Sequence, residues 1–173
     1  MTPYFNSPER IEVLKQAATS WLGTPFVPNA AIKGAGVSCQ KLVGSILIEA
    51  GALPASFALP DEPMSWGQAQ TESLVEKFMA ANADRFELVE GPAFVYAEPG
   101  DVLGIRHGGC VHHCGLVLAE HGSFIHCIRG EGVVLGEIRD AVFMRMVKRI
   151  WRPLRAATGL AADSDALKSE PQP

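Results

Sequence analysis

The sequence predicts an α+β fold, in which helices come first along the chain and a sheet follows. Apolar residues recur at helical spacing in the first half, whereas short β-like runs fill the second half from Pro99 onward. The connections between these runs are tight and rich in glycine, which is typical of an antiparallel meander. A chain of 173 residues is long enough for one domain with a substantial core.

Composition and charge exclude several classes of protein. Hydrophobic residues make up 47% of the chain and charged residues 20%, which indicates a compact protein rather than a disordered one. A net charge of −4 without a run of Lys or Arg argues against nucleic acid as a partner. No apolar stretch approaches the roughly 20 residues of a membrane span, and the N-terminus lacks the pattern of a signal peptide. We therefore expect synthesis in the cytoplasm and no membrane partner.

Three helices are predicted in the first half. The first begins at Ser7–Pro8, where a capping residue precedes a proline, and runs to about Trp21–Leu22. A loop rich in Gly, Pro and Ala, residues 23–37, leads to a second, apolar helix from Cys39 to Gly51. The third is more polar and spans roughly Ser65 to Ala81.

The second half is predicted to hold five strands. They cover residues 101–106, 112–119, 123–129, 132–138 and 143–151. Residues 1–155 form the predicted domain, and residues 156–173 are expected to be a disordered or weakly docked tail, because they carry no patterned apolar face.

Cys39 lies in the first turn of an otherwise apolar helix. Unpaired backbone N–H groups and the helix dipole favour a thiolate there, so Cys39 is a candidate nucleophile. The alternative is a buried structural thiol, since free cysteine is among the most buried residue types. A catalytic thiol needs an imidazole beside it and a third group that orients that imidazole.

Strand alternation places two of the five histidines together. If residues 120 and 121 form a hairpin turn, Gly115 pairs with His126 and both lie on the same face as His113. That register puts His113 diagonal to His126, within about 7 Å between side-chain roots, which permits a ring-to-ring hydrogen bond. Gly115 is expected to leave room beside the pair.

The same alternation assigns the remaining histidines and two cysteines. Cys114 and Cys127 fall on the opposite face, as small core residues. His107 and His121 lie in turns and are expected to face solvent. The face on which His112 lies stays open, because a one-residue bulge would exchange it with His113.

Structural zinc is the alternative from another class of function. Cys110 and Cys114, followed by His126 and Cys127, have a spacing that superficially matches zinc ligands. However, His126 and Cys127 are strand neighbours that point in opposite directions, so at most one of them can join Cys114. We expect no metal site and no cofactor.

Together these motifs resemble the NlpC family of papain-like bacterial cell-wall cysteine peptidases. The matching segments are GTPF from residue 23, GAGVSCQKLVGSILIEAG from residue 34, PGDVLGIR from residue 99 and HHCGLVLAEHGSFIHC from residue 112. They follow the family's order and extend from about Trp21 to Ile138. The resemblance implies a papain-like, NlpC-type α+β fold with the Cys-bearing helix packed on an antiparallel sheet. It also implies hydrolysis of the amide between D-glutamate and a diamino acid in peptidoglycan stem peptides.

The resemblance also implies residue roles. Cys39 corresponds to the nucleophile, His113 to the general base and His126 to the third residue that orients the base. By analogy with other thiol hydrolases, the backbone N–H of Cys39 would stabilise the oxyanion.

Three sites beside these residues depart from the family's pattern. Ser38 stands where the family usually has Asp, Gln40 and Lys41 replace Ser-Gly, and Phe26 replaces Tyr. We expect Phe26, Ser38 and Gln40 to contact the substrate. Ser38 is also a good helix cap, and the missing carboxylate together with Lys41 favours an ionised thiol.

The long loop FVPNAAIKGAGVSC, residues 26–39, resembles the branch encoded in phage tail modules and gene-transfer agents. That branch implies tail proteins as partners and the cell wall as the site of action. Two alternatives stay open: a catalytically silent structural or adaptor protein of a tail, and a thiol acyltransferase on the same fold. The acyltransferase would be expected to have a more apolar groove or a membrane anchor.

Overall fold

Helices dominate the first half of the chain and a sheet the second, as the sequence predicts. The computed structural model describes residues 2–61, 72–119 and 122–156. The helices in these ranges are α1 (Pro8–Thr19), α2 (Cys39–Glu49), α3 (Leu74–Ala81), α4 (Ala93–Tyr96) and α5 (Ala141–Met146). The strands are β1 (Ala31–Ile32), β2 (Gly36–Val37), β3 (Phe86–Leu88), β4 (Val102–His107), β5 (Cys110–Val117), β6 (Ser123–Ile128), β7 (Gly132–Glu137) and β8 (Val147–Pro153).

The main sheet has six strands in the order β3-β8-β4-β5-β6-β7, and every neighbouring pair is antiparallel. The Cys-bearing helix α2 packs on β5 and β6 of this sheet. The opposite face of the sheet has a second apolar cluster, to which Phe143 of α5 contributes. The predicted α+β arrangement, with a Cys-bearing helix on an antiparallel sheet, is therefore confirmed.

Local chemistry sets the ends of the first two helices. The Ser7 side chain accepts a hydrogen bond from the Arg10 N–H at the start of α1. α1 ends at Thr19, slightly before the predicted end, and turns follow it. α2 ends at Glu49, and Gly51 follows with φ of +76°, a conformation that favours glycine after a helix.

Two predicted elements differ from the structure. The third helix begins at Leu74 rather than Ser65, because the Ser73 hydroxyl caps it by accepting from the Glu76 N–H at 3.0 Å. Residues 62–71 of that prediction lie outside the described residues. The last predicted strand, residues 143–151, is instead α5 followed by β8, because Asp140 accepts from the Val142 N–H and starts a helical turn.

An ion pair fixes the junction of β3, β8 and β4. The Arg152 guanidinium on β8 donates two hydrogen bonds to the Asp101 carboxylate, at 2.9 and 2.8 Å, and the Glu98 N–H donates a third at 2.9 Å. The hydrogen bonds from Arg152 to Asp101 raise the pKa of the Arg152 guanidinium. Asp101 is only 1% exposed, and it follows Gly100, whose φ of +90° and contact with Phe5 exclude a side chain.

The predicted tail, residues 156–173, lies outside the described residues except for its first residue. Among the described residues, no helix is both long and apolar enough to cross a membrane.

Replacing Asp101 should test the importance of the ion pair at this junction. Asp101→Asn removes the buried charge and leaves a mostly buried guanidinium with only the half-exposed Glu98 as an ionic partner, so we expect a loss of about 3 kcal/mol in the free energy of unfolding. Urea denaturation measures this loss. The control is Glu72→Gln, which removes an exposed ion pair with Lys77 and should change stability by less than about 0.5 kcal/mol. Equal losses in the two variants would contradict this role.

Candidate active site

A cavity of about 540 Å³ brings Cys39, His113 and His126 to one surface. Its walls come from the loop before α2, from β4 to β6 and from α5. The lining residues are Phe26, Pro28, Cys39, Ile105, His107, His112, His113, His126, Cys127, Ile128, Arg129, Val142, Phe143 and Met146. A volume of this size is in the range of small-molecule and peptide sites.

Cys39 is the first residue of α2 and lies at the edge of the cavity. Its side chain is 7% exposed, and its Sγ lies 4.0 Å from the carbonyl oxygen of His112. The backbone of Ser38 is extended, and its carbonyl accepts the first helical hydrogen bond from the Leu42 N–H at 2.9 Å. The Ser38 side chain makes no capping hydrogen bond, so the helix start depends on backbone geometry and not on the expected side-chain cap. The helix dipole favours negative charge on the Cys39 sulfur.

The two predicted histidines form a direct hydrogen bond. His113 Nε2 lies 3.0 Å from His126 Nδ1. The ladder pairs Gly115 with His126 and Val117 with Phe124, which is the predicted register. The predicted turn itself, residues 120 and 121, lies outside the described residues. The predicted register is therefore the one in which the two rings lie within hydrogen-bond distance.

Aromatic rings fix the orientation of His126. It is 2% exposed, and its ring centroid lies 4.8 Å from that of Phe124 and 5.4 Å from that of Phe143. A Cβ on Gly136 would lie 3.3 Å from His126 Nε2. The space expected at Gly115 is filled, because a Cβ there would lie 2.6 Å from the Phe124 ring. Gly115 thus admits the ring that holds His126 rather than leaving room for another group.

A bulge in β5 decides between the two adjacent histidines. Ile105 pairs with His113, but the next residue of β4, Arg106, pairs with Val111, so His112 is the extra residue. The one-residue bulge, one of the two alternatives for this strand, is therefore present. It directs the His112 carbonyl toward Cys39 while His113 keeps its position opposite Ile105.

The other histidines have different surroundings. His107 is exposed, as expected, and its ring packs edge-on against His112 with centroids 5.4 Å apart. Both also line the cavity. His121 lies outside the described residues.

Burial keeps the central imidazoles uncharged at neutral pH. It lowers the pKa of His113 to about 3, and repulsion from His126 acts in the same direction. Burial also lowers the pKa of His126 to about 4, and it lowers the pKa of His112. A neutral imidazole next to a thiol can accept its proton, which an imidazolium cannot do.

The three predicted substrate-binding residues are not brought together. Phe26 lines the cavity, whereas Ser38 is completely buried outside it. Gln40 lies against a second, small cavity of about 40 Å³ between α2 and α3, where its Nε2 has no partner among the described residues. Substrate contact by Ser38 and Gln40 stays a prediction.

Sequence reasoning missed two parts of the cavity wall. Phe143 and Met146 come from α5, which was predicted as a strand; Asp140 as a cap was the available indication of a helix. Arg129 follows β6 closely after His126, and its guanidinium lies 5.4 Å from the centre of the Phe26 ring. No pattern in the sequence singled it out.

The cysteines considered for zinc lie in the interior. Cys110, Cys114 and Cys127 are all buried, and the last two belong to the apolar cluster beneath α2. In the part of the chain that the structure describes, no three His, Cys, Asp or Glu residues are placed to hold a metal ion. The expectation that the protein binds no zinc stays a prediction.

Solved structures of low sequence identity share this fold. A lipoprotein-like NLP/P60 family protein from Staphylococcus aureus matches with a TM-score of 0.59 and 17% identity, over 90% of this chain and 45% of that one. The peptidoglycan hydrolase RipB from Mycobacterium tuberculosis matches with a TM-score of 0.53 and 18% identity, over 87% and 67% of the two chains. The NlpC/p60 domain of the peptidoglycan hydrolase SagA matches with a TM-score of 0.50 and 16% identity, over 81% and 96%.

These neighbours confirm the predicted papain-like, NlpC-type fold. The chain spans about half the length of the Staphylococcus aureus protein and nearly all of the SagA domain. No protein-family model matches the chain, and no curated protein matches it by sequence.

The lowered histidine pKa values predict a loss of stability in acid. The fold keeps His113 and His126 neutral, whereas the unfolded chain binds a proton at each below about pH 6.5. Because the unfolded state then holds more protons, the free energy of unfolding should fall from about pH 6.5 to pH 4. Each group contributes a slope of up to about 1.4 kcal/mol per pH unit. Urea denaturation at several pH values measures the slope.

Two variants make this prediction specific. His126→Asn should reduce the slope, because one of the two titrating groups is gone. His107→Asn, which replaces an exposed ring, should leave it unchanged. A slope that is the same in all three proteins would show that the acid sensitivity has another origin.

Proposed function

We propose that the chain is a cysteine peptidase that hydrolyses a peptide amide in peptidoglycan stem peptides through a Cys39 thioester. The observation that carries the proposal is the cavity in which Cys39, at a helix N-terminus, faces the same space as a neutral histidine pair joined at 3.0 Å. A shared fold with proteins named as peptidoglycan hydrolases, SagA and RipB, supports the choice of substrate.

The hydrogen bond between the rings assigns their nitrogens. Because Nε2 of His113 bonds to Nδ1 of His126, Nδ1 of His113 is the nitrogen left to accept the thiol proton. In that arrangement His113 donates its Nε2 proton to His126, which fixes the tautomer and the ring plane. His126 itself needs no charge for this role, which agrees with its lowered pKa.

The reaction then has two steps of the same kind. His113 takes the Cys39 proton, the sulfur bonds to the amide carbon, and the backbone N–H of Cys39 stabilises the oxyanion. The C–N bond breaks as His113 returns its proton to the leaving amine. Water then attacks the thioester while His113 removes its proton, and the C–S bond breaks to give the acid and the Cys39 thiol.

The proposal extends to the bond that is cleaved and to the route by which the enzyme reaches the cell wall. The amide would join D-glutamate to a diamino acid, as the resemblance to NlpC peptidases implies. The loop of residues 26–39, which contains the β1–β2 hairpin, resembles that of phage tail and gene-transfer-agent enzymes. We propose that such a particle carries the enzyme to the cell wall and that tail proteins are its partners.

One observation favours a second candidate, a thiol acyltransferase on the same fold. Apolar side chains form much of the cavity wall, among them Ile105, Phe143 and Met146. An acyl chain would fit such a surface. Incubation with purified muropeptides and mass spectrometry of the products separates the two candidates, because only the peptidase releases shortened peptides.

The reactivity of Cys39 tests the proposed nucleophile. Its thiol should react with iodoacetamide well below pH 8, whereas an unperturbed thiol has a pKa near ~8.5. His113→Ala should shift the profile toward that value because the proton acceptor is gone, and His126→Ala should do so only partly. Cys110, Cys114 and Cys127 are as buried as Cys39, but they lie on strands and lack the helix N-terminus that favours a thiolate, so they should react slowly. Labelling of Cys39 no faster than these between pH 6 and 9 would favour the structural alternative.

Hydrolysis itself should follow the same residues. Cleavage of wall peptides should disappear in Cys39→Ala and fall by at least ~10²-fold in His113→Ala, the usual effect of losing a general base. Thermal unfolding of each variant checks that the fold is retained. Full cleavage by Cys39→Ala would refute the thioester mechanism.

A further inference from the structure

We infer that Arg129 is a specificity-determining residue that binds a carboxylate of the substrate beside the scissile amide. The inference rests on the proposed function and adds a chemical requirement to it: a free acid near the bond that is cleaved. A substrate in which that acid is a carboxamide should be a poor one.

Charge distribution in the cavity is the first observation. Among the described residues that line it, Arg129 is the only Lys, Arg, Asp or Glu side chain. The histidines beside it are uncharged at neutral pH, because burial lowers the pKa of both His113 and His126. The cavity therefore presents one fixed positive charge and no fixed negative charge.

Arg129 is held in position. It lies in the turn after β6, which is closed by a hydrogen bond from the Glu131 N–H to the Ile128 carbonyl at 3.2 Å. Its guanidinium lies over the Phe26 ring, at 5.4 Å from the ring centre. The negative face of an aromatic ring attracts a cation, which restrains the position of the guanidinium.

The loop that carries Phe26, the other partner in this contact, is also fixed. The Gly23 N–H donates to the Val133 carbonyl at 3.0 Å, and the Val133 N–H donates to the Thr24 carbonyl at 2.9 Å. Gly132 has φ of +80°, and a Cβ there would lie 2.6 Å from the Thr24 carbonyl oxygen. The loop that carries Phe26 is thus joined by backbone hydrogen bonds to the hairpin that carries Arg129.

Arg129 has no anionic partner in the described part of the chain. No described carboxylate forms an ion pair with it, whereas Arg149 pairs with Glu76 and Arg152 pairs with Asp101. A guanidinium can donate two parallel hydrogen bonds to a carboxylate, and a charged pair of this kind is stronger than a neutral one. Arg129 and Cys39 line the same cavity of about 540 Å³, so a substrate bound at Cys39 can place an acid near the scissile bond against Arg129.

A pair of muropeptides tests the inference. The two differ only in the α-substituent of D-glutamate, a carboxylate in one and a carboxamide in the other. The wild-type protein should cleave the carboxylate form with kcat/KM about tenfold or more above the other, which corresponds to one charge-assisted contact. Arg129→Gln should remove this preference, mainly by raising KM for the carboxylate form. Arg129→Lys, which keeps the positive charge, should retain part of the preference.

The matched control is Arg106→Gln. Arg106 is an exposed arginine at the end of β4 that does not line the cavity, so its replacement should preserve the preference. A wild-type enzyme that cleaves both peptides equally, or an Arg129→Gln variant that keeps the preference, would overturn the inference while leaving the peptidase itself intact.

Alkylation gives a readout that does not depend on hydrolysis. Iodoacetate carries a carboxylate and iodoacetamide its amide, so the ratio of their rates at Cys39 reports on binding of an acid nearby. Arg129→Gln should lower this ratio by about threefold or more, whereas Arg106→Gln should not. If neither muropeptide is cleaved, the proposed substrate is wrong, and an unchanged ratio would then overturn the role of Arg129 as well.

Discussion

The pairing of Gly115 with His126 is the constraint on which the candidate site depends. A slip of one residue between β5 and β6 would turn each side chain of the slipped strand to the other face of the sheet. His113 would then lose its hydrogen bond to His126. The site therefore requires this one register of β5 and β6. The apolar residues that alternate with the histidines hold that register. Phe124 contributes twice, since it fills the space at Gly115 and packs against the His126 ring.

The same packing explains why the site is costly to maintain. Two imidazoles are withdrawn from water and joined to each other, and one of them is also enclosed by Phe124 and Phe143. Burial disfavours the charged form of each. A solvated histidine would be partly protonated near neutral pH, and the protonated fraction could not accept a thiol proton. Stability in acid and the availability of a neutral base are thus set by the same contacts.

Much of this arrangement could be predicted because strand alternation is a strict period of two. Gly115, His113 and His126 could be placed relative to one another from the sequence alone, and the ladder agrees. Residues that lie outside these alternating strands could not be placed in this way. Phe143 begins the largely apolar run FMRMVKRIW, which reads as a strand, but Asp140 begins a helix through one side-chain hydrogen bond. No sequence pattern identifies Arg129, since its position depends on a turn and on the Phe26 ring from a distant loop.

The hydrogen bonds between the Phe26 loop and β7 have an evolutionary consequence. They join backbone atoms of Gly23, Thr24 and Val133, so the width of the cleft at this point does not depend on which side chains occupy positions 26 and 129. Substitutions at those two positions can then change the charge and polarity of the cleft while its frame persists. Sequence variation at these two positions is therefore compatible with an unchanged backbone around the cleft.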